Sequence, residues 1–332
     1  MYHRWEKVFQ INNLQHSLGC GLNLFGLTDR ISCSTLAFVP KCQPVGNKEL
    51  ILLENFINDS GKICVLTGAG ISTESGIPDY RSEGVGLYAR SDQRPVLYKE
   101  FCENEGRRTR YWARNYVGWP RFSSFTPNIT HKVLKDLEDI GKVSCVVTQN
   151  VDNLHFKAGS KNVIEIHGTA FTVVCLNCEH KISRFDMQKI LQQNNKNMNA
   201  ETQMMRPDGD VELSQEQIDN FVVPSCKKCG GVLKPDIVFF GDNVPRERVE
   251  KIKQEVEAAD SLLVLGSSLT VFSGLRIIHQ AVEAKKPISI VNIGQTRGDQ
   301  YAQLKIVARC GEILSKIHEA HAFWQIYDIS TM

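Results

Sequence analysis

Cys175 and Cys178 form one C-x2-C pair and Cys226 and Cys229 another, the second followed by Gly230 and Gly231, which permit the tight turn of a metal knuckle. Four thiolates fill the tetrahedral shell of Zn²⁺ and leave no position for water, so the pattern predicts a structural zinc. Two redox pairs are the alternative reading. A second group suits phosphate chemistry. Gly68 and Gly70 directly follow an apolar run and are trailed by Ser72, Thr73, Asp79 and Arg81. Such a turn lets backbone N–H groups approach a diphosphate while hydroxyls and a guanidinium hold it. Thr73 stands where a dehydrogenase fingerprint carries its third glycine, and Pro78, Gly84 and Gly86 shorten any helix there. The expected nucleotide is therefore clamped for cleavage and not for hydride transfer.

Two further constellations fall at strand ends. Gln149, Asn150, Val151 and Asp152 follow an apolar run, where open α/β sheets place ligands, and their polar groups can hold a ribose. His167 ends the short run Glu165–Gly168 just before the first cysteine pair, a position that suits a general base. His155 is its nearest rival, while His131, His180, His279 and His318 fall in helical or surface patterns. No Ser, His, Asp hydrolase order stands out. Val238, Phe239, Phe240 and Gly241 read either as an extended segment able to pair with a peptide or as an ordinary buried strand.

These residues must be positioned by something. Apolar runs at 62–67, 143–148, 163–166, 262–265, 288–291 and 305–307 read as strands of a buried parallel sheet. Helical patterns alternate with them near 46–58, 126–140, 245–258, 274–284 and 311–323. In the clearest of these, Thr126 is the expected N-cap, Pro127 the first helical residue and Gly141 the stop. The fold class is accordingly α/β: a Rossmann-like, doubly wound parallel sheet. A polar stretch from Cys175 to Cys229 interrupts the alternation, as an inserted small four-cysteine zinc-binding domain would. Its knuckles are separated by far more than the roughly 15 to 20 residues of a compact ribbon. The excess lies in the Asn-, Gln- and Met-rich run from Gln192 to Met205, continuing through Gly209. That run is expected to be either a mobile loop over the site or a solvated surface loop.

The expected organisation is a leader over 1–45, a nucleotide-binding lobe over 46–168 and 236–323, the small lobe with its extended loop over 169–235, and a tail over 324–332. Lys and Arg (39) nearly balance Asp and Glu (37), so nothing in the overall charge calls for nucleic acid or membrane. Seven of the eleven cysteines (Cys20, Cys33, Cys42, Cys64, Cys102, Cys145, Cys310) are scattered singly, which argues for a reducing compartment. The leader carries Arg4, Lys7, Arg30 and Lys41 against Glu6 and Asp29. It reads as a mitochondrial presequence or a disordered tail, and its uncharged stretch 11–28 is too broken by polar residues and glycine to cross a bilayer.

Taken together, the motifs GAGIST…GIPDYR, TQNVDNLH, HG, the two knuckles, KPDIVFFGD, GSSL and VNIG resemble the sirtuin family, in that family's order, from about Gly46 to Phe323. The continuation Ser82–Tyr88, with Tyr80 where many relatives carry phenylalanine, is similar to the class II branch and its mitochondrial sirtuin-4 group. The resemblance implies an NAD-dependent protein lysine deacylase, removing lipoyl, biotinyl, glutaryl-type or acetyl groups, with protein mono-ADP-ribosyl transfer as the alternative. It implies that Gly68, Ala69, Gly70, Ser72, Thr73, Ile77, Pro78, Asp79, Tyr80, Arg81 and Tyr88 wrap the NAD diphosphate and nicotinamide ribose. Gln149, Asn150, Val151 and Asp152 would hold ribose and nicotinamide, and Gly266, Ser267, Ser268, Asn292, Ile293, Gly294 and Cys310 the adenosine half. His167 would be the base, with Asn150 and Asp152 in catalysis. The acyl-lysine carbonyl oxygen would attack the ribose C1′ as nicotinamide leaves, and His167 would then deprotonate a ribose hydroxyl.

Implied partners are acylated-lysine proteins, among them metabolic enzymes of the mitochondrial matrix. The substrate would lie along Val238, Phe239, Phe240 and Gly241. Tyr88 and Arg90 are the nearest candidates for the Tyr and Arg of relatives that prefer acidic acyl chains, but Ala89, Ser91 and Asp92 depart from that motif. The stretch from Arg107 to Arg121, rich in arginine and aromatics and free of acids, could greet an acidic acyl group or a protein partner. It could equally be part core and part solvated face.

Overall fold

The computed structural model describes residues 36–90, 95–198, 206–211 and 213–328. Most of the expected leader, Ser91 and Asp92, part of the 192–209 run and the last four residues lie outside that set, as does the Arg90 side chain.

In chain order the helices are α1 (Asn47–Asp59), α2 (Leu87–Arg90), α3 (Tyr98–Glu103), α4 (Glu105–Ser124), α5 (Ile129–Asp139), α6 (Leu154–Ala158), α7 (Arg184–Asn194), α8 (Gln215–Asp219), α9 (Arg246–Ala258), α10 (Phe272–Glu283) and α11 (Cys310–Asp328). The strands are β1 (Ile63–Thr67), β2 (Val143–Thr148), β3 (Val163–Glu165), β4 (Gly168–Cys175), β5 (Lys181–Ser183), β6 (Leu233–Ile237), β7 (Ser261–Leu265), β8 (Ile288–Val291) and β9 (Leu304–Ile306). Six of them form one parallel sheet in the order β3-β2-β1-β7-β8-β9. The chain winds outward from β1 on one side and later from β7 on the other, so the doubly wound sheet of the sequence reading is present.

Strand periodicity decides the layers. Ile63 and Val65 of β1 face the side on which α1, α5 and α11 pack, through Leu53, Ile57, Val133, Leu134, Ile313 and Leu314. Cys64 and Leu66 face the other side, against Ile252 and Val256 of α9 and Leu275 and Ile278 of α10. Both faces are covered, which is why these strands read as unbroken apolar runs.

The remaining strands make an antiparallel sheet, β5-β4-β6, that carries the cysteine knuckles. Its apolar core is not confined to the inserted stretch. Phe101, Tyr111, Trp112, Trp119 and Phe122 of α3 and α4 share it with Val173, Met187, Leu191 and Leu233. Arg184 is fully buried there. It stacks over Trp112 and Trp119 and donates to Asn115, and burial pushes its guanidinium down to about 9.

Some element boundaries differ from the sequence reading, those of α5 and α11 among them. Helix α5 begins at Ile129 and not at Pro127, because Asn128 accepts from Thr130 N while its amide donates to Ile71 O and Ser75 Oγ. An asparagine cap stabilises a helix by about 1 kcal/mol, and this one also ties α5 to the turn after β1. Helix α11 runs through to Asp328, into the expected tail.

Candidate active site

The strand order reverses between β1 and β7, so a crevice opens at their C-terminal ends. Two glycine turns meet there. Gly70 N donates to Gly266 O (2.9 Å), and an added Cβ would lie 2.7 Å from Gly266 O at Gly68 and 2.8 Å at Gly70. Gly266 itself has φ 58, and a side chain on it would meet Ile71 N at 2.5 Å. The first turn continues as a 3-10 helix, Ala69–Ser75, ended by left-handed Gly76. A cleft of about 1860 Å³ lies above these turns, between the parallel sheet and the smaller lobe.

His167 lies on the cleft wall, just after β3, and both of its ring nitrogens are engaged. Nδ1 is 2.9 Å from Gln149 O and Nε2 is 2.8 Å from Ser273 Oγ. Burial, with Arg248 nearby, holds the imidazole below its ordinary pKa despite the Gln149 bond, so it is neutral at pH 7. A neutral, oriented imidazole on a cleft wall is what a general base requires. His155, the rival, is excluded by geometry. It is buried, bonds Thr67 Oγ1 through Nε2, stacks on His131 at 4.9 Å and lies off the cleft wall.

The polar residues after β2 brace this site. Asn150 donates to Gly68 O and Ser72 Oγ, while Asp152 accepts from Ser72 Oγ and Leu154 N. Burial raises the Asp152 pKa, against the pull of those hydrogen bonds. The Gln149 amide donates to Ser267 Oγ and Thr67 O, joining three strand ends. Asn150 and Asp152 thus line the cleft while holding the glycine turn in shape.

Of the expected site residues, Gly68, Ala69, Gly70, Ser72, Ile77, Asp79, Tyr80 and Arg81 come together on this wall. So do Gln149, Asn150, Val151, Asp152, His167, Val238, Phe239, Phe240, Gly241, Gly266, Ser267, Ser268, Asn292, Ile293 and Gly294. Thr73 and Cys310 do not; they line a small adjoining recess with Glu74. Pro78 is buried off the wall. Tyr88 is also off the wall, packed against the Tyr80 ring at 5.9 Å and under Arg81 at 5.5 Å, so it supports two wall residues from behind.

The four cysteines converge, their sulfurs all within 4.8 Å of one another. Two of the separations are 3.5 Å (Cys175–Cys229) and 3.8 Å (Cys178–Cys226). A tetrahedron with Zn–S bonds near 2.3 Å has edges of about 3.8 Å, so the donor set fits zinc. The knuckles are built alike: Glu179 N donates to Cys175 O and Gly230 N to Cys226 O, and both donors have positive φ.

A family model described as the Sir2 family matches residues 68–273, most of the chain and all of the motifs around the cleft except the last. The chain belongs to the Sir2 family. It is 53% identical over 290 residues to the Drosophila melanogaster protein called NAD-dependent protein deacylase Sirt4, covering 87% of this chain and 93% of that one. It is 52% identical over 280 residues to the Homo sapiens protein called NAD-dependent protein lipoamidase sirtuin-4, mitochondrial (84% and 89% covered). A solved Sir2–p53 peptide–NAD+ complex superposes with a TM-score of 0.65 at 30% identity, over 84% of this chain and all of that one.

Within this Sir2 fold, the basic aromatic stretch, which the sequence left as either a recognition surface or part core and part solvated face, acquires a definite side toward the cleft. Arg107, Arg110 and Arg114 line the cleft from α4, at a spacing that sets them on one helix face. Opposite lie Asp208 and Asp210, the latter 3.0 Å from Arg114 and 3.6 Å from Arg206. Burial and Asp208 push Asp210 up to about 7, with Arg114 and Arg206 opposing. Lys234 is buried under the 238–241 segment, donating to Pro235 O and Ile237 O and sitting over the Phe239 ring at 4.7 Å. Composition had shown the arginines, but without the helix there was no face to place them on. Nothing local marks Ser273, and Lys234, though it opens the KPDIVFFGD motif, carries no local sign of its burial.

Proposed function

We propose that this protein is an NAD-dependent protein lysine deacylase acting in the mitochondrial matrix. The observation that carries the reading is His167: a neutral imidazole, tethered at Nδ1, on a cleft whose floor is two interlocked glycine turns at the switch point. Relatives about half identical to this chain are named as deacylase or lipoamidase, and the human and bovine ones as mitochondrial.

In this reading the turns after β1 and β7 hold the dinucleotide diphosphate, with Arg81 supplying positive charge. Bound NAD would supply an activated ribose C1′ that an acyl-lysine carbonyl oxygen can attack as nicotinamide leaves. Asn150 and Asp152 keep the Ser72 loop closed around that centre. His167 Nε2 takes a proton from a ribose hydroxyl, and the Gln149 carbonyl steadies the imidazolium through Nδ1–H.

The peptide lies along Val238–Gly241. One edge of that segment is already used, since Tyr98 N donates to Phe240 O and Val238 N to His167 O; on the other edge Asp242 N donates to Phe239 O, and the Phe239 and Gly241 amides remain for a partner strand. The acyl chain points toward Tyr111, Phe239 and the Arg107, Arg110, Arg114 face. A wall of arginines and aspartates favours an acyl group with a polar or acidic end over plain acetyl. The 206–211 segment forms part of that wall, and Asp208 and Asp210 therefore help set acyl preference.

The test is nicotinamide release with NAD and a panel of acetyl-, glutaryl-, lipoyl- and biotinyl-lysine peptides, with acyl-ADP-ribose followed by mass spectrometry. Release with at least one peptide is expected, and release with none refutes the reading.

A further inference from the structure

We propose that Ser273, at the start of α10, is a positioning residue for His167, an inference that rests on the reading of His167 as the base. Gln149 O is a carbonyl and can only accept, so Nδ1 carries the ring proton of the neutral imidazole. Nε2 then presents its lone pair, and the group 2.8 Å away is the Ser273 hydroxyl, which donates to it. The imidazole is held on both sides, in one tautomer and one orientation, with the basic nitrogen turned to the cleft.

The contact is built by the backbone around it. Gly274 follows Ser273, and a Cβ at Gly274 would lie 2.8 Å from Gln149 Oε1. The glycine lets the first turn of α10 close onto the same residue whose carbonyl holds Nδ1. Ser273 and His167 therefore meet because Gln149 is sandwiched between β2 and α10. Ser273 also lines the cleft, where a ribose hydroxyl reaches the same nitrogen.

A single lone pair accepts one proton at a time. When the substrate hydroxyl takes that lone pair, the Ser273 side chain remains against the ring edge and keeps the imidazole oriented through the proton transfer. The serine keeps a half-buried nitrogen from standing unpaired and spares the enzyme a search for ring orientation when the dinucleotide binds.

The experiment has two arms. In the kinetic arm, Ser273→Ala is expected to lower kcat by roughly 3- to 10-fold, the value of one ordinary hydrogen bond. KM for NAD should stay within about twofold, and Ser273→Thr should restore kcat. A Ser273→Ala enzyme with wild-type kcat overturns the proposal. In the spectroscopic arm, ¹⁵N-histidine-labelled protein at pH 8 is expected to show His167 protonated at Nδ1, with Nε2 hydrogen-bonded in wild type and not in Ser273→Ala. A proton found on Nε2 overturns it as well. Failure of the base reading looks different: His167→Ala would retain turnover, while the spectra still report on the Ser273 contact.

Discussion

At the scale of single residues, burial is the term that sets the histidines apart. His167 reaches the cleft, whereas His131 and His155 are sealed between β1, α5 and α6 and face each other. His167→Ala should fold normally and lower turnover by about 10²- to 10⁴-fold, the usual worth of general-base assistance; thermal melting beside steady-state kinetics checks both halves. His155 makes a different prediction. Burial depresses its pKa to about 4, and its partner His131 is likewise held well below normal. Unfolding frees them to protonate near pH 6.5, so the unfolded state binds more protons between 6.5 and 4. Stability is full above pH 6.5 and falls as pH drops toward 4, by about 3 kcal/mol for His155 alone. Urea midpoints measured at pH 7.5 and 5 test this, and His155→Gln should flatten the difference.

Among the elements, the decisive contact is between the two glycine turns. Each strand end is an ordinary buried β terminus until the turns interlock, and the lock leaves no room for side chains on Gly68, Gly70 or Gly266. Gly266→Ala meets a positive φ and the Ile71 amide together. It is expected to raise KM for NAD at least tenfold while the small lobe stays folded, measured by dinucleotide titration and by zinc content. Unchanged KM would remove the turn from the cofactor site. Helix α4 shows how an element can hide from its own sequence. Its arginines lower the mean hydropathy, yet Tyr111, Trp112, Arg114, Gly118, Trp119 and Phe122 are buried. The arginines are accommodated by the cleft and by Asp210, so the apolar stripe is narrower than a periodic pattern demands.

For the whole molecule, the cysteine knuckles and His167, the proposed base, lie in different lobes. The segment 238–241, along which we propose the substrate lies, is entered directly from β6, and β6 pairs with the knuckle strand β4. Structural zinc is worth about 10 to 16 kcal/mol of coupled folding in small peptides. Chelation should therefore abolish deacylation although no zinc touches the reacting atoms, with the antiparallel lobe losing amide protection while the parallel sheet keeps most of its own. Hydrogen exchange with and without chelator decides it; retained activity in zinc-free protein would contradict the coupling.

Legible in the chain without its fold is whatever local chemistry enforces. Buried parallel strands must be apolar on both faces, so six were readable within a residue or so. Metal knuckles need cysteines two apart, and glycine turns need glycine. The rest waited for packing: that α3 and α4 belong to the small lobe's core, that Arg107, Arg110 and Arg114 face Asp208 and Asp210, that Tyr88 stands behind the wall, and that Ser273 meets His167. These contacts join residues far apart in the chain, as Ser273 and His167 are (106 positions), and no propensity or period at either end encodes a partner at that distance.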